Sequence, residues 1–311
     1  MGVSLPRLPI AIDPKKNSRL ICRSERPGLN KVIVTGDDFG LALPVNEAVL
    51  EAHRKGILTT ASLMVGAEFC RDAVQRAKQC PSLRVGLHLT LVEGRPVLEP
   101  RRIPDLVGPD GAFSTHLART GFRFFFYPGI RKQLEAEIRA QFEAFCEAGL
   151  ALDHVNAHNH LHFHPTVLRL LLEVGKEYGL RAVRLPNEPP VLSWKASRKS
   201  LGPRLTSWTL LLPWMALMKH RLRRENIRFN DFLFGMADGG SMTTELTLRI
   251  IRNLPTGITE LCFHPATRRC VEIDQTMPSY RHEEEFRALT SESLIRELQT
   301  AGVGRITFSD L

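Results

Sequence analysis

None of the six cysteines, at positions 22, 70, 80, 146, 262 and 270, forms a CxxC pair, and their spacing follows no pattern. Without a redox or zinc-ribbon motif they read as reduced thiols, mostly small core residues. The first 31 residues lack the continuous apolar stretch that heads a secretory signal, and position 6 is Pro, not the Ser/Thr that N-myristoylation prefers. A cytoplasmic protein is therefore expected. No apolar run is long enough to serve as a membrane-spanning helix. Internal repeats and low-complexity tracts are also missing.

Uniform charge is absent as well. The net charge is +9, yet residues 195–228 alone carry +8 and residues 1–31 carry +5, leaving the remainder mildly acidic. A nucleic-acid binder of the uniformly basic kind would look different, and no recognised nucleic-acid motif is present, so no nucleic-acid partner is expected.

What is there suits one large α/β domain: 311 residues, 43% hydrophobic and 24% charged. The expected division is a weakly ordered basic extension over 1–30 and a single domain over 31–311, with a basic, tryptophan-bearing insertion around 195–230. Strand-length apolar runs at Lys31–Thr35, Thr59–Val65, Leu83–Leu91, His154–Ala157, Ala182–Leu185, Thr259–Phe263 and Arg305–Phe308 alternate with helical patterns. The helical patterns cover Leu41–Lys55, Glu68–Gln79, Ile130–Ala148, Thr166–Tyr178 and Glu283–Thr300. About seven parallel strands predict a distorted (β/α) barrel, TIM-like, with an open doubly wound sheet as the rival. The chemistry favours the barrel, because the candidate residues sit at or beyond the C-terminal ends of different strands.

Those residues are dominated by histidine. Five of the eleven histidines, His154, His158, His160, His162 and His164, fall within eleven positions. Imidazole is the commonest metal ligand and titrates near neutrality. The paired acids Asp37-Asp38, ahead of Phe39-Gly40, follow the first strand; His88 lies in the third; His264 ends another in Leu-Cys-Phe-His-Pro. Singly each has a plain structural explanation: acids placed for a helix dipole, a hydrogen-bonded core histidine, a solvated histidine turn. Jointly they describe one carboxylate and two imidazoles with open coordination positions. A divalent ion there binds water and polarises a carbonyl, a free Asp takes the proton, and a histidine opposite protonates the leaving group. A protein-kinase Asp-Phe-Gly is excluded, since position 38 leaves no room for the upstream loops.

Gly36-Asp37-Asp38-Phe39-Gly40, Gly86-Leu87-His88, His158-Asn159-His160-Leu161-His162 and Cys262-Phe263-His264-Pro265, in that order, resemble the motifs of the YdjC-like family of carbohydrate deacetylases. The resemblance spans residues 31–311. VTGDDFGLALPVNEAV, VGLHLTLVEGRPVL and LDHVNAHNHLHFHPTVL bring it closer to the hopanoid-biosynthesis-associated branch (HpnK). It implies Asp38, His88 and His158 as metal ligands, Asp37 as general base and His264 as general acid. Arg184 and Glu188, together with His160 and His162, would lie near substrate. It further implies one divalent ion, Mg²⁺ or Zn²⁺ with Mn²⁺ and Co²⁺ also admissible. The implied substrate is an N-acetylated amino sugar, lipid-linked as an acetylglucosaminyl hopanoid. Asn156 stands where the family has Asp and Asn159 where it has His, which touches the hydrogen bonding behind the ligands. Two rivals stay open: a soluble chito-oligosaccharide deacetylase, and a non-catalytic glycolipid-binding protein.

Leu205–Met218 is apolar, holds Trp208, Pro213 and Trp214, and runs into Lys219, Arg221, Arg223 and Arg224. Such a segment fits a helix lying flat at a membrane interface, on the inner face of the membrane. It equally fits a barrel helix that buries Leu and Trp inward and ends in solvated cations. A homodimer is compatible with the sequence but not encoded by any feature of it.

Overall fold

The computed structural model describes residues 30–311; the basic extension expected over 1–30 lies, but for Asn30, outside the described residues. β1 (Lys31–Phe39), α1 (Leu43–Lys55), β2 (Thr60–Leu63), α2 (Cys70–Lys78) and β3 (Arg84–Leu89) alternate as expected. A longer excursion then carries α3 (Leu117–Phe126) and α4 (Pro128–Glu147), before β4 (Leu152–Ala157) and α5 (Pro165–Gly175). After α6 (Pro190–Ser197) and α7 (Leu201–Arg224) come β5 (Phe232–Phe234), α8 (Thr244–Ile251), β6 (Ile258–Phe263) and α9 (Val271–Thr276). Next are α10 (His282–Leu289), α11 (Glu292–Thr300) and β7 (Gly304–Ile306).

Every pairing is parallel, in the order β4-β3-β2-β1-β6-β5, with β7 beside the first half of β1. Isolated parallel bridges, Val155 to Val183 and Ala182 to Arg228, link β4 towards the β5 edge. The sheet thus curls into a distorted (β/α) barrel.

Three elements depart from expectation. Ala182–Leu185 makes bridges, not a strand, because Leu185 exchanges both backbone bonds with the side-chain amide of Asn230 in place of a ladder partner. The helix expected over Glu283–Thr300 divides at Thr290, whose hydroxyl turns back onto the carbonyls of Phe286 and Arg287. β5, only three residues long, is too short for periodicity to reveal.

The strands bury both faces. Outward residues such as Val34, Ala61, Leu63, Leu87, Val155 and Phe263 join the main core beneath the helices. A small apolar plug of Ile33, Ala182 and Phe308 is separate from that core. Thr35, Asp37, Thr60, Ser62, His88, His154, Asn156, Arg184 and Glu260 form a buried polar set that the strands bring together.

Two register shifts make that set possible. Between Gly36 and Phe39, β1 spends three steps against two on β2, and Asp38 adopts φ +61°. A β-bulge of this kind re-aims side chains and lets two consecutive carboxylates both reach the interior. The second lies on β4, where Leu152 to Val155 faces Val85 to Leu87. It admits both Asp153 and His154. Gly86 on β3 faces them, and a Cβ there would fall 2.5 Å from the His154 ring and carbonyl, so only glycine fits this approach.

Candidate metal and catalytic site

Asp38, His88 and His158 come from β1, β3 and the 3₁₀ turn His158–Phe163 that follows β4. His158 Nδ1 lies 3.1 Å from Asp38 Oδ1, His88 Nε2 lies 3.2 Å from the same oxygen, and the two nitrogens are 3.4 Å apart. All three side chains are buried. Ligand atoms held about 2.0–2.2 Å from one ion lie roughly 3–3.4 Å from each other, so the triangle fits a single divalent cation. Asp38 Oδ2 is buried without a partner, a donor atom left free for a cation.

The electrostatics agree. Burial would raise the Asp38 carboxyl, but His158 and His88 outweigh it and hold it well below the usual range. Burial would lower His158, but Asp38 and Glu93 push it up to about 10. Glu93 Oε2 stands 3.5 Å from His158 Nε2. The cluster attracts positive charge strongly.

Behind His88 runs a chain of hydrogen bonds whose direction is fixed by its end groups. Asp153 can only accept, so His154 Nδ1 donates to it at 3.0 Å. His154 Nε2 meets Ser62 Oγ at 3.1 Å. Ser62 accepts from Asn156 Nδ2 at 2.8 Å, and Asn156 Oδ1 accepts from His88 Nδ1 at 2.7 Å. His88 is thereby held as the tautomer whose bare Nε2 faces Asp38. Asn156, where the family has Asp, therefore supplies the hydrogen bond that orients His88. Its amide also donates to Asp37 Oδ1 at 3.0 Å, which a carboxylate could not do.

Asp37 belongs to a different set of contacts. Arg184 grips it bidentately, Nη1 to Oδ2 at 2.6 Å and Nη2 to Oδ1 at 3.0 Å, and the Cys262 thiol donates to Oδ2 at 3.1 Å. Burial would raise its pKa; the Arg184 guanidinium outweighs that and keeps it well below the carboxylate range. Arg184, fully buried, also donates to Glu260 Oε1, which accepts from Thr35 as well. Arg184, expected near substrate, directs four hydrogen bonds at these two interior carboxylates.

His264 ends β6 with its ring atoms near Asp37 and Cys262. Glu285, fully buried and pushed up to about 7 by that burial, accepts from the His264 backbone N–H at 2.5 Å. The Tyr280 ring meets His264 edge-on at 5.2 Å. Burial lowers the His264 pKa, and Nδ1 has no hydrogen-bond partner. His160 sits in the left-handed region at φ +52° with Nδ1 also unpartnered, and burial with Arg184 nearby holds it well below the usual range. His162 faces inward instead, bonded through Nε2 to the Arg184 carbonyl and driven down to about 3 by burial.

Glu188 lies apart from this cluster. It accepts from the backbones of Met236 and Ala237 and from Ser193, and lines an apolar cavity of about 310 Å³ with Arg204, Trp208, Leu211 and Met215. A second cavity of about 370 Å³ opens on the Glu93 side, between Thr90, Arg95 and Gln275. On α7, Met215, Met218 and Leu222 are buried, whereas Leu210 is 76% exposed and Leu205, Leu211 and Leu217 are exposed too. Trp214 packs on Phe163 and bonds its carbonyl. The helix continues through Pro213. No helix among the described residues is long and apolar enough to cross a membrane.

Ser62, Glu93, Glu260, Cys262 and Glu285 carry no role in the sequence reading, and His154 enters it only as a member of the histidine cluster. Polar residues at alternate positions of strands otherwise read as buried (Thr60 and Ser62, His154 and Asn156, Glu260 and Cys262) are the signal that could have found most of them.

The profile of the YdjC-like protein family matches residues 31–300. A carbohydrate deacetylase of Brevibacillus brevis is 29% identical over 285 residues, covering 90% of this chain and 99% of the relative. One from Geobacillus stearothermophilus is 30% identical over 280 residues, covering 89% and 96%. Among solved structures, an Enterococcus faecalis protein assigned only provisionally to cellobiose-phosphate cleavage superposes with a TM-score of 0.68 at 21% identity, over 91% of this chain and 98% of its own.

Proposed function

The chain belongs to the YdjC-like family, and on that premise we propose that it is a metal-dependent carbohydrate N-deacetylase. The observation that carries this reading is the meeting of Asp38, His88 and His158 at 3.1–3.4 Å beside a separately held Asp37. A divalent ion such as Zn²⁺ or Mg²⁺, held by those three residues, would supply Lewis acidity towards an amide carbonyl and towards water.

The chain's own groups do the rest. Water adds to the acetyl carbon, the C–N bond breaks, and acetate and a free amine leave. Asp37 takes the proton from water through Oδ2, where the thiol of Cys262 is the weakest donor present and the one a water can displace. His264 returns a proton to the departing nitrogen. Arg184 keeps Asp37 ionised and oriented. His160 and the cavity beside Glu93 face the sugar, and the apolar cavity at Glu188 and Trp208 takes the less polar part of the substrate.

The finer substrate is an acetylglucosaminyl lipid of the hopanoid type. Supporting it are the resemblance to the hopanoid-associated branch and the apolar outer face of α7, where Trp208, Trp214, Arg221, Arg223 and Arg224 would meet lipid. The protein would then work as a cytoplasmic enzyme peripheral to the inner face of the membrane. A water-soluble chito-oligosaccharide is the rival, separated from it by whether activity depends on detergent or liposomes.

A second assignment of the proton steps is favoured by His264 itself, whose neutral ring with an open Nδ1 can accept the proton from water. As general acid, His264 makes the rate fall when pH rises through its pKa; as base, when pH drops through it.

The deciding experiment is acetate release from an N-acetylglucosaminyl hopanoid, with metal content measured alongside. Asp37→Asn should keep its metal and lose about 10²–10⁴ in kcat. His158→Ala should lose metal and turnover together. Equal activity in both variants and the wild type refutes the assignment, and no acetate from the wild type leaves a glycolipid-binding protein.

A further inference from the structure

Fourteen large hydrophobic side chains are exposed among the described residues, and eleven of them fall in two stretches, 111–134 and 189–224. The same stretches hold twelve of the chain's forty-two Lys/Arg residues and none of its thirty-three acids. Exposed apolar surface and an excess of positive charge therefore coincide, although Lys199, Arg204 and Arg224 face acids from outside the stretches, Asp238, Glu188 and Glu225. On an ordinary solvated surface they do not, because exposed helices intersperse both signs of charge.

The two stretches also meet in space. α3, from the first, offers Phe122 and Phe126 at 58% exposure, with Phe125 and Tyr127 alongside. Phe125 packs edge-on against His164. α7, from the second, packs Trp214 against Phe163, the preceding residue. Arg131, at the start of α4, lines one groove with Trp214, Leu217 and Arg221. Both helices thus flank the end of the turn that begins with His158, so the apolar rim borders the mouth of the site.

We propose that α3 and α7 together form one seat for an anionic lipid bilayer, with the catalytic mouth facing the membrane. The aromatic side chains of α3 enter the boundary between headgroups and acyl chains, the leucines of α7 flank them, and the surrounding cations meet anionic headgroups. Charge selects this occupant over a second copy of the chain, since two such rims would repel each other. The inference deepens the lipid part of the proposed function and rests on that part alone, not on hydrolysis.

The test is co-sedimentation of the full-length protein with vesicles of phosphatidylcholine alone or enriched in phosphatidylglycerol. Binding to the anionic vesicles should be at least about tenfold tighter and should weaken with salt. Phe122→Ser/Phe126→Ser, on side chains already facing out, should weaken it about tenfold or more while the melting temperature stays put. Equal binding by wild type and variant, or none by the wild type, overturns the proposal. A dimer that the same substitutions dissolve, without vesicle binding, overturns it too. Acetate release from a water-soluble N-acetyl amino sugar is read in parallel: vesicle binding without release sinks the deacetylation reading and leaves this one, and release without vesicle binding does the reverse.

Discussion

The two sides of the mouth are built on opposite terms. In the barrel interior, apart from open atoms such as Asp38 Oδ2 and His264 Nδ1, polar atoms are bound to specific partners, and a change at one is felt by several others. On the α3–α7 rim, the large side chains touch little of their own protein. The first region spends its chemistry inward; the second holds apolar surface in reserve for something outside the fold. Substitutions should therefore behave differently in kind, not only in degree.

The largest difference is expected at Arg184. Arg184→Met leaves Asp37 and Glu260 buried without their shared cation, and breaking a buried pair this way costs about 3–5 kcal/mol. Leu210→Ser on the rim should change stability by less than about 0.5 kcal/mol. Urea denaturation of both variants checks the contrast, and similar losses would erase it.

Next in size is the link between the interior chain and the ion. Asn156→Leu removes the acceptor that fixes His88 Nδ1, and metal affinity should fall about 10–100-fold in a chelator competition. An unchanged affinity would mean that His88 needs no such support.

A further contrast is a pH dependence of the metal-free protein. His158 titrates near 6.5 when unfolded but is pushed up to about 10 when folded. A group whose pKa rises on folding stabilises fully below its unfolded value, and that contribution fades as pH climbs through the folded one. Thermal melts in chelator should therefore show stability declining between about pH 6.5 and 10. Metal affinity should rise over the same window, because the ion displaces the His158 proton. A flat profile would detach His158 from Asp38.

Much of the site was legible because its ligands are residue types with few other reasons to cluster. Composition and position along the strands drew attention to the Asp37-Asp38 pair, His88 and the histidine cluster, and the family resemblance singled out Asp38, His88 and His158 among them. What supports them was not legible, since Ser62, Glu93 and Glu285 acquire meaning only from neighbours 21 to 94 positions away, as the Ser62–His154 bond across 92 residues illustrates. The barrel followed from alternating strand and helix patterns. α3 escaped because Phe124, Phe125 and Phe126 in succession obscure the apolar period, with one ring buried and two turned out. Arg184 drew attention as a substrate contact from its motif; only the fold reveals both of its carboxylate neighbours.

The left-handed turn at Asp38 has a consequence of its own. It turns two adjoining acids towards different partners, Asp37 to a guanidinium and Asp38 to imidazoles, with Asn156 as the bridge between the two sets. With Arg184 beside it, Asp37 keeps its charge whatever engages Asp38.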